Sequence, residues 1–399
     1  MESRRNFIGK VATGLAGTLA ASNVLGANDR IRLGFIGMGS RGTDLLREAL
    51  SCSHTECVGI ADVYNPRLEA AQVLAPGAKI HVDYRRLLQD PALDAVIIAT
   101  PNHLHAQQFV AALDAGKHVY QEKTMAFTVE QAKSMRAAYE RAGNRTVQIG
   151  HQTCSSGQVA DAVTFLKPEL MGRITGIRAH YYRNTPHGKP QWARPVHPDM
   201  TPENLAWDSF LGEAPAREFD PQRYMNWRLF WDYSGGSVTE NLSQQMAFWY
   251  KLLGLQIPAA VTMTGGVYLW KDGREVPDTM HVSMEHAEEI LFSWDSGFGN
   301  NQLGVAEDVL GTDGTLSKSQ QIRYLPQKVN RPGGNEMMGT TRTEPRAHMQ
   351  TFLDAVRTGK EPKCSFDVGY RVSIACRMAV ESYLQQRTVW WDPASEEIV

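Results

Sequence analysis

Three glycines and one acid, at fixed spacing, are the residues with the clearest chemistry in this sequence. A short apolar run leads into Gly37, Gly39 and Gly42, in the pattern G-x-G-x-x-G, and a helical pattern follows. In such a loop the first glycine makes a tight turn, the second lets the backbone approach a pyrophosphate, and the third packs the helix against the strand. Asp62 closes the next apolar run, where an acid binds the adenosine ribose. The spacing predicts a dinucleotide site.

The remaining loop residues refine this prediction. Met38, Ser40 and Arg41 lie between the glycines and complete the candidate phosphate-binding loop. Asp62 would repel a 2′-phosphate, which favours NAD over NADP. Arg67 follows closely and could bind that phosphate, so NADP stays open as the alternative.

The chain around this loop alternates short apolar runs with helical patterns up to about residue 149. This alternation predicts a parallel sheet with crossover helices, with further strands at 58–62, 95–100, 118–120 and 146–150. Ligands of such sheets lie at the carboxyl ends of the strands. The polar residues expected to converge there with Asp62 are Thr100, Pro101, Asn102, Glu122, Lys123, His151 and Gln152.

The pattern changes after residue 150. A helix at 157–166 and a strand at 174–182 precede an irregular stretch, 184–232, rich in Pro, His and Trp. The later elements are a helix at 242–253, strand-like runs at 282–286, 290–294 and 311–316, and helices at 348–358 and 370–386. We predict an α/β protein: a Rossmann doubly wound parallel sheet at 30–150, an α+β domain with an open, largely antiparallel sheet at 151–345, and closing helices at 346–399.

The first residues predict a targeting signal rather than a folded element. Arg4 and Arg5 precede a mildly apolar Gly- and Ala-rich stretch, 11–21, which is too short for a membrane span. We interpret residues 1–27 as a signal for the Tat export machinery, which predicts a periplasmic or secreted protein. Free dinucleotide is scarce outside the cytoplasm and the Tat pathway carries folded cargo. We therefore expect a tightly bound cofactor.

Composition narrows the kinds of partner. The 399 residues carry a formal net charge of −2, which gives no basic surface for nucleic acid or anionic lipid and favours a small-molecule substrate. The five cysteines show no C-x-x-C pattern, although a Cys52–Cys57 bridge stays open. His180, His187, His197 and Asp199 match no ligand spacing, so we expect no metal.

Three further segments carry a family resemblance. They are ATPNHLH at 99–105, AGKHVYQEK at 115–123 and FLDAVRTGKEP at 352–362. Together with the glycine motif they resemble the Gfo/Idh/MocA family (glucose-fructose oxidoreductase, inositol dehydrogenase and MocA). The resemblance implies a Rossmann domain and a C-terminal α/β domain that holds a sugar or polyol over the nicotinamide, and it adds His105 to the candidate cofactor contacts.

The resemblance also assigns catalytic positions. The family's Glu-Lys-Pro motif, with its catalytic lysine, matches Glu122 and Lys123, although Thr124 replaces the proline. Its Asp-x-x-x-His pair in the second domain falls on Glu240 and Gln244.

Gln244 raises a chemical difficulty. Glutamine cannot exchange protons near neutral pH, so another group must act. Lys123 is suited to this because burial and the positive nicotinamide ring would both favour its neutral amine. His151, Tyr181, Tyr182 and Glu240 are its candidate companions, although a purely structural hydrogen bond is equally open for the histidine and the tyrosines.

Aromatic residues in the second domain predict a carbohydrate pocket. Aromatic faces beside polar side chains suit the stacking and hydroxyl bonding of sugar rings. Most of the tryptophans are expected in the core, with one or two in the pocket. The candidate substrate contacts are Trp192, Trp227, Arg228 and Gln244.

Three functions remain open at this point. The first is an exported NAD(P)-dependent oxidoreductase that moves a hydride at a carbinol carbon of a sugar or glycoside. The second is a redox-neutral glycosidase that oxidises, eliminates and re-reduces with the same bound NAD. The third is a non-catalytic sugar-binding module on this scaffold. An exposed sheet face in the second domain would suit a homo-oligomer.

Overall fold

The computed structural model describes residues 30–341 and 347–399, so the predicted export signal lies outside the described residues. The N-terminal domain is a six-stranded parallel sheet in the order β3-β2-β1-β4-β5-β6. Its strands are β1 Ile31–Ile36, β2 Thr55–Ala61, β3 Lys79–His81, β4 Ala95–Ile98, β5 His118–Gln121 and β6 Val147–Ile149. The predicted Rossmann sheet is confirmed. Only β3 was missed, because this three-residue edge strand has no apolar run.

Crossover helices cover both faces of this sheet. They are α1 Ser40–Leu50, α2 Asn65–Leu74, α3 Tyr84–Leu88, α4 His105–Asp114 and α5 Val129–Ala142. The whole of β4 is fully buried, as a central strand packed on both faces must be. Its carboxyl end therefore opens onto the edge where the predicted polar residues lie.

The second domain is built on a ten-stranded sheet in the order β14-β13-β12-β11-β7-β10-β9-β8-β15-β16. Within the described strands, β7 and β10 pair in parallel and the other neighbours are antiparallel. The bounds are β7 Ile174–Tyr182, β8 Ala260–Gly266, β9 Thr279–His286, β10 Ile290–Gly297, β11 Val305–Gly311, β12 Gly314–Lys318, β13 Ile322–Pro326, β14 Met337–Met338, β15 Val389–Asp392 and β16 Glu397–Ile398. The largely antiparallel sheet is confirmed. The run 311–316 is not one strand, because its Gly-Thr-Asp-Gly sequence makes the hairpin turn between β11 and β12.

Seven α-helices accompany this sheet in the described residues after 151. They are α6 Gln158–Phe165, α7 Pro168–Met171, α8 Trp207–Leu211, α9 Pro221–Met225, α10 Ser243–Leu253, α11 Ala347–Thr358 and α12 Phe366–Gln385. A π-helical turn, Val238–Leu242, runs directly into α10. Although α11 lies late in the chain, it packs on the N-terminal sheet, where Phe352 meets Tyr120 edge to face.

Residues 184–232, predicted to be irregular, contain the short helices α8 and α9 and cross from the second domain onto the first. Its aromatic residues, with those that follow, form a separate cluster that includes Trp207, Phe210 and Tyr224 together with Tyr64 of the N-terminal domain. Leu205 forms an isolated antiparallel bridge with Tyr64. We call residues 184–232 the crossing segment.

Two sequence-level questions are answered by the described chain. All five cysteines lie within it; each is buried and none is joined in a disulfide, so there is no Cys52–Cys57 bridge. A search of the described helices finds none that is both long enough and apolar enough to traverse a bilayer.

Candidate functional site

The glycine loop has the backbone geometry that a pyrophosphate requires. Gly37 has a φ of +91°, and a Cβ there would lie 2.8 Å from Thr100. At Gly42 a Cβ would lie 1.9 Å from the carbonyl oxygen of Gly37, so only glycine allows helix α1 to start so close to the loop. A Cβ at Gly39 would have the Arg67 guanidinium, at 3.8 Å, as its nearest neighbour, so this glycine borders open space. The backbone of the loop is therefore exposed where a phosphate would approach.

A cavity of about 620 Å³ begins at this loop and extends along the carboxyl edge of the sheet. Many of the predicted residues line it, as the convergence of strand ends requires. They are Gly37, Gly39, Ser40, Arg41, Asp62, Arg67, Thr100, Pro101, Glu122, Lys123 and Gln152. We call this space the cofactor cavity.

Asp62 and Arg67 face the end of the cofactor cavity beside β2. The Asp62 carboxylate accepts hydrogen bonds from the backbone N–H groups of Met38 at 2.5 Å and Tyr64 at 2.9 Å. Arg67 donates to the Tyr224 hydroxyl at 2.6 Å, and its guanidinium lies over the Tyr224 ring. An acid and a guanidinium thus both border this end of the cavity, and the choice between NAD and NADP stays a prediction.

Glu122 organises the middle of the cofactor cavity. One of its carboxylate oxygens accepts from Arg41 Nε at 2.7 Å and from Gln152 Nε2 at 2.9 Å. Burial opposes the charge of Arg41, but the Glu122 carboxylate outweighs burial and raises the pKa of the guanidinium. Gln152 in turn accepts from Gln244 Nε2 at 2.9 Å. This chain of bonds fixes the strand ends against the second domain.

Lys123 lies where the two domains meet. Its Nζ donates to Glu240 twice, to Oε2 at 3.1 Å and to the carbonyl oxygen at 3.0 Å. Arg228 Nε donates to the same Oε2 at 3.0 Å. Burial disfavours the Glu240 carboxylate, but the charges of Arg228 and Lys123 outweigh burial and lower its pKa to about 2. Glu240 is therefore an anion that holds two cations in place.

Thr124 occupies the position of the family's proline. The Lys123–Thr124 peptide bond is cis. The Thr124 hydroxyl donates to the carbonyl oxygen of Thr239 at 2.7 Å. A hydroxyl thus ties the residue after Lys123 to the π-helical turn that carries Glu240.

Gln244 and His151 lie close together behind this centre. Gln244 lines the cofactor cavity, whereas His151 is completely buried. Neither ring nitrogen of His151 makes a well-formed hydrogen bond to another described residue. Burial foremost, with the Lys123 charge, lowers the pKa of His151 to about 3, and the nearby Gln244 amide opposes this shift. His151 is therefore neutral at physiological pH and has no surface on the cavity.

A second cavity, of about 610 Å³, opens from the same centre towards the ten-stranded sheet. It shares Lys123, Gln152, Arg194, Arg228, Glu240 and Gln244 with the cofactor cavity. Tyr181 and Trp192 line it, whereas Trp227 lines the cofactor cavity beneath the Arg228 guanidinium. Because it adjoins Lys123 and lies against the second domain, we call it the substrate cavity.

Six of the predicted site residues line neither cavity: Met38, Gly42, Asn102, His105, His151 and Tyr182. Met38 and Gly42 serve the loop through backbone and packing. Asn102 is buried, and the His105 ring nitrogens lie 2.7 and 2.9 Å from the carbonyl oxygens of Thr124 and Thr100, so both belong to the support beneath the site.

Tyr182 is excluded by strand geometry. Successive side chains of β7 point to opposite faces, so Tyr181 faces the cavity and Tyr182 packs on the other face against Gly297.

Sequence reasoning missed several lining residues. Arg183 and Arg194 border the substrate cavity, and Asp208, Phe210 and Tyr224 of the crossing segment border the cofactor cavity. Alternation along β7 would have placed Arg183 on the side of Tyr181. No local pattern marks the other four, because the crossing segment brings them in, three of them on its short helices α8 and α9.

The described residues fit a nicotinamide dinucleotide. The loop supplies backbone N–H groups and an open Gly39, Asp62 suits a ribose, and the cavity leads from there to Lys123. When bound, such a cofactor supplies a hydride acceptor or donor. No group of three His, Cys, Asp or Glu side chains able to hold a metal ion is found in the parts of the chain that the structure describes.

These features define a two-domain protein with an NAD-binding Rossmann fold. Residues 31–151 match the family described as oxidoreductase family, NAD-binding Rossmann fold, and residues 214–390 match its C-terminal alpha/beta domain. The chain belongs to the Gfo/Idh/MocA oxidoreductase family.

The curated relatives with the higher sequence identity align with only part of this chain. Inositol 2-dehydrogenase of Salmonella typhimurium is 38% identical over 122 residues, which are 30% of this chain and 36% of that protein. Levoglucosan dehydrogenase of Pseudarthrobacter phenanthrenivorans is 30% identical over 148 residues, 36% of this chain and 35% of that protein. The matched stretch thus spans about a third of each. A longer match, 24% identical, covers 90% of this chain and 94% of inositol 2-dehydrogenase/D-chiro-inositol 3-dehydrogenase from Lacticaseibacillus casei.

Solved structures share the whole fold. Levoglucosan dehydrogenase in complex with NADH and levoglucosan superimposes with a TM-score of 0.71 at 20% identity, over 90% of this chain and 99% of that one. This agreement extends the shared architecture to both domains.

Proposed function

We propose that this protein is an NAD(P)-dependent oxidoreductase that transfers a hydride between the nicotinamide and a carbinol carbon of a sugar or glycoside. The observation that carries the proposal is the position of Lys123, whose ammonium lies on the wall common to the cofactor and substrate cavities. A group at that junction can contact the reacting oxygen while the carbon faces the nicotinamide.

Lys123 supplies the proton chemistry in this proposal. In the reducing direction its ammonium donates a proton to the carbonyl oxygen as the hydride reaches the carbon. In the oxidising direction the same nitrogen, as the neutral amine, takes the hydroxyl proton. Glu240 holds Nζ in position, and Arg228 binds the same carboxylate oxygen. Gln244 orients the substrate through its amide and exchanges no proton.

The substrate class follows from the relatives and the cavity. The similar proteins are named as inositol and levoglucosan dehydrogenases, whose substrates are polyhydroxylated rings. The substrate cavity offers such a ring the Tyr181 hydroxyl, the Trp192 ring and the Gln244 amide.

A redox-neutral glycosidase is the second candidate, and the crossing segment favours it. Backbone bonds join Ala206 to Val63 and Asn65 to Asn204, and Arg194 donates to Ser40 in the glycine loop at 2.9 Å. A cofactor in this cavity would lie beside these contacts, and we infer that they slow its release. Retained NAD suits a cycle that returns the hydride to its own substrate.

Export and assembly complete the proposal. We infer from the twin arginine at Arg4 and Arg5 that the protein is exported by the Tat machinery to the periplasm or beyond. Leu291 and Trp390 are exposed apolar residues on one face of the ten-stranded sheet, which supports the expectation of a homo-oligomer.

The test is a panel of polyols, free sugars and aryl glycosides, with and without added NAD⁺ or NADP⁺. Reduced nicotinamide that accumulates only with added cofactor supports the oxidoreductase. Aglycone released without net cofactor reduction supports the glycosidase. Sugar binding without either reaction would leave the non-catalytic module, and no response to any compound would overturn the proposal.

A further inference from the structure

The charges around the substrate cavity are unbalanced. Two carboxylates border it, and each is already neutralised: Glu240 holds Lys123 and Arg228, and Glu307 accepts from Lys318 Nζ at 2.5 Å. Arg183 and Arg194 also border the cavity, and neither forms an ion pair with a carboxylate of the described residues. Cations therefore outnumber anions on these walls.

The pKa of Arg194 reflects this crowding. Burial and the neighbouring charges of Arg228 and Arg67 lower the pKa of its guanidinium from the ordinary value. Positive charge packed into a partly enclosed space focuses a field that attracts an anion. A neutral sugar would gain nothing from it.

The two unpaired guanidinium groups have different surroundings. Arg194 reaches back to Ser40 at the glycine loop, so a cofactor pyrophosphate would neutralise it. Arg183 lies at the end of β7 and contacts only neutral groups, the Tyr181 hydroxyl at 2.6 Å and the Asn241 amide oxygen at 3.4 Å. Asn241 directly follows Glu240, the partner of Lys123. No carboxylate of the described residues therefore balances the positive charge of Arg183, which is available to a ligand beside Lys123.

We propose that the substrate is an acidic sugar, a pyranose with a ring carboxylate such as a hexuronic acid, and that Arg183 binds this carboxylate. The planar fork of the guanidinium matches a carboxylate with two parallel hydrogen bonds. The ring hydroxyls then face Lys123 and Gln244. This inference rests on the proposed function for the identity of the ring, but its test is a binding measurement and needs no turnover.

The experiment is calorimetric titration of NADH-loaded protein with two pairs of ligands. Each pair differs only at C6: methyl β-D-glucuronide with methyl β-D-glucoside, and methyl β-D-galacturonide with methyl β-D-galactoside. We expect at least one uronide to bind about 10- to 100-fold more tightly than its neutral partner, the usual effect of a charged hydrogen bond. Added salt should weaken uronide binding and leave glycoside binding unchanged.

Variants assign the effect to Arg183. Arg183→Gln should remove the preference for the uronide over its neutral partner, while Arg183→Lys should retain part of that preference. Arg178→Gln is the matched control, because Arg178 lies on the same strand but is exposed on the opposite face and lines neither cavity. If Arg183→Gln fails to fold, Arg183→Lys carries the assignment: a preference as strong as that of the wild type would overturn the contact with the Arg183 guanidinium.

Several outcomes would overturn the inference. They are equal affinity within both pairs, no binding of any of the four ligands, or an unchanged preference in Arg183→Gln. Tighter binding of methyl β-D-glucoside 6-sulfate than of the uronide would reject a carboxylate as the recognised anion. Hydride transfer from neutral sugars alone would reject the acidic substrate yet uphold the proposed function.

Discussion

Lys123 Nζ lies 3.1 Å from Oε2 of Glu240, and this ion pair joins the end of a Rossmann strand to the π-helical turn of the second domain. Both side chains are largely buried, so the pair is sheltered from solvent screening. Arg228 shares the same carboxylate oxygen, which leaves the group of three with a net positive charge. The position of the Lys123 amine thus depends on contacts between the two domains.

Lys123→Ala should abolish turnover and spare the cofactor site. Loss of a positioned proton-transfer group costs about a hundredfold to ten-thousandfold in rate. We expect kcat on a verified substrate to fall by this amount, while NADH binding, followed by fluorescence titration, stays near the wild-type value. Gln244→Ala is the comparison: it should cost much less, because the amide cannot exchange protons. The reverse ranking would show that the chemistry is centred elsewhere.

Glu240 should make stability depend on pH in the acid range. Its pKa of about 2 in the folded protein is below the usual value of 4.5. A depressed carboxyl pKa stabilises the fold above the unfolded value, and this stabilisation is lost as pH falls through the window from about 4.5 to about 2. In Glu240→Gln this part of the pH dependence, measured by urea unfolding, should be absent. An unchanged profile would contradict the ion pair.

Buried histidines should also make stability fall as the pH falls, in a range above that of Glu240. Burial lowers the pKa of His103, His286 and His348 to about 4 and that of His151 to about 3. The unfolded chain binds these protons near pH 6.5 and the folded chain does not, so the free energy of unfolding should fall from about pH 6.5 towards pH 4. His151→Gln should reduce this slope.

Asp62 should determine cofactor choice. Asp62→Ala removes the acceptor that borders the cavity, so NAD⁺ should bind at least about 10-fold more weakly and any preference over NADP⁺ should narrow. Asp44→Asn, at an exposed position of α1, is the control. A wild type that already prefers NADP⁺ would contradict this assignment and make Arg67 the determinant.

The purified protein should carry NAD(H) without any being added. The crossing segment lines part of the cofactor cavity and bonds to the glycine loop, and the proposed Tat export would require the protein to fold around its cofactor first. Denaturation of protein from a Tat-competent host, followed by an enzymatic assay of the supernatant, should release dinucleotide. Arg194→Ala should speed its loss on dialysis. Protein that is isolated free of dinucleotide would overturn the retained-cofactor proposal without affecting the fold.

Local sequence patterns were sufficient to predict the parts of the site that are formed by residues close together in the sequence. The glycine spacing, the apolar strand before it and the polar residues after later strands specified the Rossmann sheet and the loop and strand-end residues of the cofactor cavity. Strand β7 was predicted with its observed bounds. Periodicity failed at β3, which is too short to show any, and at residues 311–316, where a turn sequence separates two strands.

The sequence by itself determined that a dinucleotide loop, an acid after β2 and Lys123 would meet at one sheet edge, because the carboxyl ends of parallel strands always share an edge. Only the tertiary structure decided which neighbours surround Lys123. It placed Tyr181 and Arg183 in the substrate cavity and buried His151 behind Gln244. It also brought the crossing segment to the wall of the cofactor cavity. Such contacts between distant parts of the chain follow from packing of the whole domain, and no local spacing encodes them.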